Sequence, residues 1–414
     1  MNPAIDHRPA VLAIFLLTYL GLAIGKVPGL KLNRVGIALL GAIAIMIVSG
    51  SSAKEAAASV NWPTIFLLFG FFVISAQLRL SGFYGWVAGC ISRRLDAPAR
   101  FLVFLIVVTA ALSAFLNNDI VCYVLAPVVG AALLRKGRDP VPCLVAIALA
   151  SNIGAAGTLI GNAQNMMIGQ VADLSFARYM LWSLTPVLFG LAAIYVIVPF
   201  RANSQPITPI DAKPQTEAEE NPIDWFHVTK GLVILATVIG LFFTSLPREV
   251  VVLVAAGIHL ASTKFRTEDM FALVDWPILV LFISLFMVSG AFQATGYGEE
   301  IVGHLKTAGF DPAQPGNLAA LTAGLSAVIN NAPAVMLLLK IVPMAHVTTG
   351  YIMAAANSFG GGIIMTASVS NIVVAQQARQ LGIVISFRDF ARLGIPVTLV
   401  ALAGLIVWAK LMGA

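Results

Sequence analysis

The sequence predicts an all-α polytopic membrane protein made of two inverted-topology repeats, each with about five transmembrane helices and one re-entrant hairpin. Three observations predict this fold: the chain carries few charges, its apolar runs are long, and motifs of its first half recur in its second half. Only 11% of the 414 residues are charged, against roughly 25% in an ordinary soluble domain. The excess apolar surface is therefore expected to face lipid.

A transmembrane helix needs roughly 20 apolar residues to cross about 30 Å of hydrocarbon. Uninterrupted runs of this kind occur along the whole chain, at about 10–30, 33–50, 62–80, 180–200, 228–246, 248–263, 276–294 and 394–412. Two more crossings, near 141–172 and 349–377, are interrupted by Gly, Ser, Thr and Asn. Segment 201–227 is rich in Pro, Thr and Glu, which predicts a flexible linker between repeat 1–200 and repeat 228–414.

Two segments, at about 101–135 and 316–345, do not behave as ordinary spans. The apolar run of the first segment stops at Asn117-Asn118-Asp119 and resumes at once, and the run of the second segment stops at Asn330-Asn331. Each limb is short for a span, which predicts a re-entrant hairpin that enters and leaves on one side of the membrane. The alternative is two full spans joined by a tight polar turn; both interpretations give the same topology.

The two halves of the chain share motifs in nearly one register. The Trp-Pro pair at 62–63 recurs at 276–277, and the turn SAFLNN (113–118) recurs as SAVINN (326–331). Each half contains an odd number of predicted crossings, so the second half enters the membrane from the opposite side. The sequence thus predicts an inverted repeat.

The positive-inside rule gives the orientation. With the N-terminus outside, most of the 25 Lys and Arg residues fall on the cytoplasmic side. Both termini are then predicted outside, and the linker 201–227 is predicted in the cytoplasm of a multi-pass protein of the cell (inner) membrane. The basic residues are scattered rather than clustered, so the net charge of +6 predicts no nucleic-acid partner.

Four polar stretches interrupt the helices: 117–119, 151–165, 330–331 and 357–371. Non-helical backbone at membrane depth is tolerated only inside protein or beside a water-filled cavity. In inverted-repeat transporters, paired discontinuous helices meet near the midplane and bind substrate and ions there. The pairing of these stretches across the two halves therefore favours a secondary active transporter. The alternative is that the amides only hold helices together by hydrogen bonds.

Asp119 is the one acidic residue predicted at mid-depth, where a charge costs roughly 2.5–3.5 kcal/mol on insertion scales. No basic residue is predicted at the same depth, and the second half has Ala332 at the equivalent position. A lone carboxylate that takes up a proton or a cation is a natural coupling site. The alternative is a protonated, structural Asp that donates a hydrogen bond to a carbonyl.

Other kinds of chemistry find no support in the sequence. It has no phosphate-binding Gly-Lys-Ser/Thr loop, no nucleophile elbow and no His pair with metal-ligand spacing. We therefore expect no enzyme activity and no cofactor or metal, and we expect a proton or sodium gradient to drive transport.

Four motifs together resemble the ion transporter superfamily, specifically the branch of arsenite efflux pumps (ArsB) and NhaD-type sodium/proton antiporters. They are SAFLNNDIVCYVLAPVV, SNIGAAGTLIGNAQNMMIG, SAVINNAPAVMLLL and ANSFGGG, in an order that covers essentially the whole chain. The resemblance implies a scaffold, a transport domain that moves like an elevator, and a homodimer. A true arsenite pump would also have a soluble ATPase subunit as a partner. Related dicarboxylate symporters carry Ser-Asn-Thr at both hairpin tips, and its absence argues against a citrate or succinate carrier.

The resemblance also implies which residues line the site. Asp119 would couple transport to protons or cations, and the substrate-binding residues would be Asn117, Asn118, Asn152, Thr158, Asn162, Asn165, Asn330, Asn331, Asn357 and Ser358. The leading hypothesis is proton-coupled efflux of arsenite or antimonite, since a neutral trihydroxide suits a small inorganic-solute site made of amides and hydroxyls. The alternatives are sodium-coupled transport of a small anion and sodium/proton antiport. The chain departs from arsenite pumps at 361–365, where they have Asp-x-Gly-Pro-Lys.

Overall fold

A computed structural model of the chain describes residues 7–25, 29–95, 97–198, 223–344 and 346–413. These residues form helices and connecting turns, with no strand among them. In chain order, the helices are α1 (Arg8–Ile24), α2 (Arg34–Ser49), α3 (Ala53–Ala58), α4 (Trp62–Leu80), α5 (Phe83–Ser92), α6 (Pro98–Phe115), α7 (Asn118–Arg135), α8 (Val141–Ala155), α9 (Ala163–Val171), α10 (Phe176–Ile197), α11 (Trp225–Leu241), α12 (Arg248–Leu260), α13 (Thr267–Ala272), α14 (Trp276–Ala294), α15 (Tyr297–Thr307), α16 (Pro315–Ile329), α17 (Asn331–Ile341), α18 (Val347–Gly360), α19 (Val369–Gln380) and α20 (Phe387–Leu411).

Several of these helices have the length and composition of membrane spans. Among the described residues, α4, α7, α10, α14 and α20 are at least 18 residues long and sufficiently apolar, and shorter apolar helices accompany them. Large apolar side chains also lie on the outer surface; Leu17 is 68% exposed and Val196 is 80% exposed. Such a surface is stable in lipid, so the chain is a multi-pass membrane protein, as predicted.

The predicted helix interruptions are confirmed. Helix α6 ends at Phe115 and α7 begins at Asn118, while α16 ends at Ile329 and α17 begins at Asn331. The crossings at 141–172 and 349–377 are each divided, into α8 and α9 and into α18 and α19. A polar residue stands at each break, where the ends of the helices leave backbone groups without intrahelical partners.

The same helix pairs pack in both halves. Helix α6 lies along α8 as α16 lies along α18, and α5 contacts α7 as α15 contacts α17. Contacts between the halves are reciprocal: α4 packs on α12 and α14 on α2, while α19 packs on α7 and α17 on α9. These last two contacts place the four breaks next to one another in the interior.

Glycine allows the closest of these approaches. A Cβ atom on Gly154 would lie 2.4 Å from the Cα atom of Ala110, and one on Gly360 would lie 2.7 Å from that of Ala323. The α6–α8 and α16–α18 pairs therefore need a residue without a side chain at the end of α8 and of α18.

Some boundaries differ from the prediction. Helix α11 begins at Trp225, inside the predicted linker 201–227, because Asp224 caps it by accepting a hydrogen bond from the His227 N–H at 3.1 Å. Residues 201–222 of that linker lie outside the described residues. The short helices α5 and α15 were not predicted as separate elements.

Candidate functional site

A small cavity lies between the two breaks that the sequence places at 117–119 and 330–331. The space open to a water-sized sphere is about 40 Å³. A cavity needs only about 10–15 Å³ of this space to hold one water molecule. We call it the tip pocket. Its polar lining consists of Asn117, Asn118, Asp119, Gln164, Asn330, Asn331 and Ser368, and its apolar lining of Ala163, Ile278, Leu281, Phe282, Ala332 and Val369.

The first tip, residues 116–119, is a relaxed turn that caps α7. The side-chain oxygen of Asn117 accepts a hydrogen bond from the Asp119 N–H at 2.8 Å. The carbonyl of Asn118 accepts one from the Ser151 hydroxyl at 3.1 Å. These bonds hold the first turn of α7 against α8, so the Asp119 carboxyl is fixed at the pocket.

Asp119 supplies the charge of the tip pocket. Its Oδ1 atom is buried and has no hydrogen-bond partner within the described parts of the chain. Asp275, the N-cap of α14, lies one helical turn before Ile278 of the pocket lining, and no Lys or Arg among the described residues lines the pocket. The N-terminus of α7 partly stabilises the carboxylate. A carboxylate in this state can gain a proton or bind a cation.

The second tip, residues 329–332, is strained. Asn330 has φ of 75° and ψ of 159°, a region that is populated almost only by glycine and that costs about 1–3 kcal/mol. Asn330 and Asn331 are both more than nine-tenths buried. Among the described residues, the Asn330 amide nitrogen and the Asn331 amide oxygen have no partner. The second tip therefore offers the pocket one free donor and one free acceptor.

Two asparagines hold the α8–α9 and α18–α19 breaks. The Asn165 amide donates to the carbonyls of Ala155 at 3.1 Å and Thr158 at 3.2 Å. The Asn371 amide makes the same pair of bonds across the second break, at 2.7 and 3.1 Å. Each amide thus satisfies carbonyls that the end of a helix leaves free.

The breaks of the two halves are also hydrogen-bonded to each other. Asn152 donates to the Asn371 side-chain oxygen at 2.8 Å. Ser358 donates to the Asn165 side-chain oxygen at 3.3 Å and accepts from Asn162 at 2.9 Å. All five side chains are buried. We call this network of Asn152, Asn162, Asn165, Ser358 and Asn371 the amide clasp.

Two further predicted site residues make local bonds. The Thr158 hydroxyl donates to the Ala114 carbonyl and accepts from the Ile160 N–H at 3.1 Å. Asn357 accepts from the Ser326 hydroxyl at 2.8 Å. Both residues tie a broken helix to the neighbouring hairpin limb.

The predicted site residues thus gather in one region but play different parts. Asn117, Asn118, Asp119, Asn330 and Asn331 line the tip pocket. The other six do not line it. Four of them bond across the breaks: Asn152, Asn162, Asn165 and Ser358. Thr158 and Asn357 bond to the hairpin limbs, and the Asn357 amide nitrogen has no partner among the described residues. A direct contact of these six with substrate stays a prediction.

The tip pocket is also lined by Gln164 and Ser368, which were not predicted as site residues. The signal was present, because Gln164 lies between Asn162 and Asn165 in the motif GNAQN. Residues 162–165 correspond to 368–371 in the register that pairs SNIGAAG with NSFGGGI. The start of α9 and the start of α19 therefore belong to the candidate site.

Comparisons of sequence identify relatives along almost the whole chain. The model of a family described as a citrate transporter matches residues 19–357. The uncharacterized transporter Rv2685 of Mycobacterium tuberculosis is 30% identical over 368 residues, 83% of this chain and 85% of that protein. The inner membrane protein YbiR of Escherichia coli is 27% identical over 365 residues, 87% and 88% of the two chains. The magnetosome protein MamN of Magnetospirillum gryphiswaldense is 29% identical over 292 residues, 66% and 67%.

Comparisons of structure agree on the fold. The YdaH transporter of Alcanivorax borkumensis matches with a TM-score of 0.61 and 15% identity over 98% of both chains. Neisseria gonorrhoeae MtrF, described with a class of antimetabolite efflux pumps, matches with a TM-score of 0.60 and 14% identity over 99% of this chain and 95% of MtrF. At such identities the likeness extends to the fold alone, which is an all-helical transporter fold.

Proposed function

Because this chain belongs to the citrate transporter family and is a secondary transporter, we propose that it moves a small inorganic solute through the tip pocket. Coupling to a proton or sodium gradient runs through Asp119. The observation that carries the proposal is the Asp119 carboxyl, which faces the pocket without a partner in the described residues. A buried carboxylate without a partner is costly, and binding a proton or cation removes that cost.

Proton-coupled efflux of arsenite or antimonite is the first reaction to test. A neutral trihydroxide both donates and accepts hydrogen bonds, and the free polar atoms of Asn330 and Asn331 supply one donor and one acceptor. The pocket of about 40 Å³ suits a solute of a few heavy atoms. This substrate is also the one that the resemblance to the arsenite-pump and NhaD-type branch favours.

Citrate fits this pocket poorly, although the family takes its description from citrate. A tricarboxylate carries three negative charges, and Arg or Lys binds a carboxylate most strongly, through charge-assisted hydrogen bonds. The polar lining of the tip pocket consists of amides, one hydroxyl and one carboxylate, and it includes no Lys or Arg among the residues that the structure describes. Asp119 would repel such an anion.

Sodium/proton antiport is the second candidate. Carboxylate and amide oxygens are the ligands that a hard cation prefers, and Asp119, Asn331 and Asn117 place such oxygens around the pocket. In that case Asp119 binds the proton and the sodium ion in turn. Sodium-coupled uptake of a small anion would use the same cation site.

We further propose that the two halves are inverted-topology repeats, with α6–α7 and α16–α17 as re-entrant hairpins. The matching helix pairs and the matching amide bonds of Asn165 and Asn371 support this. An elevator movement in a homodimer of the inner membrane, with termini outside, would then carry the tip pocket across.

Flux into proteoliposomes tests the proposal. The purified protein is given arsenite, antimonite, sodium or citrate with an imposed proton or sodium gradient. We expect arsenite to accumulate against its gradient when protons move in the opposite direction. Citrate accumulation without arsenite or sodium transport would overturn the proposed substrate class, and the absence of any coupling to either gradient would overturn the role of Asp119.

A further inference from the structure

A groove of about 710 Å³ opens on the outer surface between the start of α6 and the end of α10. It lies at the opposite end of α6 from the tip pocket, about 25 Å away at 1.5 Å per residue. Its mouth is lined by Arg93, Arg94 and Arg100, and its wall by Val103, Val107 and Tyr195. This groove plays no part in the transport site described above.

The mouth of the groove is strongly basic. Arg93, Arg94 and Arg100 are all exposed, and none of the described residues that line the groove is acidic. Arg94 is held in place, because its guanidinium lies 3.8 Å from the centre of the Phe104 ring and donates to the Cys90 carbonyl at 3.2 Å. Asp96, between the arginines in sequence, lies outside the described residues.

The wall of the groove is apolar and faces outward. Val103 is 43% exposed and Val107 is 53% exposed, and with Arg100 they follow the i, i+3, i+7 spacing of one helix face. Tyr195 lies two residues before the end of α10, at the depth where aromatic rings with a polar tip settle between lipid and water. In a multi-pass membrane protein this wall contacts acyl chains, and the arginines lie at headgroup level.

We propose that this groove is a binding site for an anionic phospholipid. The phosphate lies among the guanidinium groups of Arg93, Arg94 and Arg100, and an acyl chain runs along Val103 and Val107. Arginine suits this task because its planar fork donates two parallel hydrogen bonds to phosphate oxygens. A lipid with net negative charge is preferred over a zwitterionic one, because the choline or ethanolamine group of the latter would be repelled.

Native mass spectrometry of the full-length protein in detergent tests this site. Phosphatidylglycerol, cardiolipin and phosphatidylcholine are each titrated into delipidated protein. We expect phosphatidylglycerol and cardiolipin to bind at least about tenfold more tightly than phosphatidylcholine. The triple variant R93Q/R94Q/R100Q should lose most of this preference.

A matched triple variant controls for charge alone. R379Q/R388Q/R392Q removes the same number of exposed arginines from α19 and α20, and it should keep the lipid preference. Equal loss in both triple variants, or equal binding of phosphatidylcholine by the wild type, would overturn the proposal. Release of the lipid by millimolar inorganic phosphate would assign the groove to a soluble anion instead, which also overturns it.

Folding is checked separately. The melting temperatures of both triple variants, delipidated in the same detergent, should match that of the wild type. If the first triple variant is unstable, R100Q alone leaves the contact between Arg94 and Phe104 intact and should weaken phosphatidylglycerol binding about threefold. No change in that single variant would count against the site.

Discussion

The two tips share the pattern Ser-Ala-x-x-Asn-Asn but build their turns differently. In the first tip, Asn117 has ordinary extended dihedral angles, and its side chain caps α7. In the second tip, Asn330 has a φ of 75° and makes no side-chain cap for α17. The position after the pattern is Asp119 in one tip and Ala332 in the other. The first tip thus carries the charge of the pocket, and the second carries the backbone strain.

The N-caps of α4 and α14 are a second difference between the halves. Asn61 caps α4 and Asp275 caps α14, through equivalent bonds of 3.0 and 3.1 Å to the N–H groups of Thr64 and Ile278. Asp275 lies one helical turn before Ile278, which lines the tip pocket beside Asp119. Two acids that break the match between the halves therefore lie near one pocket. The shared motifs thus build the common helix arrangement, whereas the two acids that lack a counterpart, Asp119 and Asp275, place ionisable groups at the pocket and beside it.

The largest expected effect follows from removing the charge of the first tip. In Asp119→Asn, transport should continue only downhill, because the carboxyl that couples it to the proton is gone. Each charge moved across 100 mV contributes about 2.3 kcal/mol, so the steady-state accumulation ratio at that potential should fall by about 50-fold. Counterflow and gradient-driven accumulation in proteoliposomes measure the two behaviours.

Glu268→Gln is the matched control for this variant, since Glu268 is an exposed acid on α13, 74% accessible to solvent. It should accumulate substrate like the wild type. Full accumulation by Asp119→Asn would remove this residue from the coupling step and make the difference between Asp119 and Ala332 functionally neutral.

A pair of glycine substitutions tests whether strain is confined to the second tip. Asn330→Gly should raise the free energy of unfolding by about 1 kcal/mol, because glycine adopts positive φ without strain. Asn117→Gly should lower it by about 1 kcal/mol, since the cap is lost and the unfolded chain gains freedom. Thermal melting in one detergent compares the two. Changes of the same sign would show that the tips do not differ in strain.

The sequence predicted where the helices break but not which amides face the pocket. The breaks at 117–119 and 330–331 were visible because amides interrupt apolar runs that otherwise continue. The direction of an amide at a break depends on backbone dihedral angles and on nearby free carbonyls. Asn165 points toward the carbonyls of its own break, whereas Asn330 lines the pocket from a backbone with positive φ. Neither fact follows from residue type or spacing.

The smallest expected effect concerns the second acid, Asp275, which lies just before the span Trp276–Ala294. Burial raises the pKa of the Asp275 carboxyl, and the bond from the Ile278 N–H offsets this only in part. Its pKa in the unfolded chain is about 3.9. Between that value and the raised pKa, the folded state binds more protons than the unfolded state, so Asp275 lowers stability as pH rises through this window.

Asp275→Asn keeps the cap of α14 but has no such titration. The melting temperature of this variant minus that of the wild type should therefore increase as pH rises from 4 to 8. The converse substitution Asn61→Asp should impose the same pH dependence on the first half, because Asn61 holds the equivalent cap. Parallel melting curves for Asp275→Asn and the wild type over this range would show that burial at the α14 cap does not penalise the charge. The contrast between Asn61 and Asp275 would then have no energetic consequence, and Asp119 alone would separate the chemistry of the two halves.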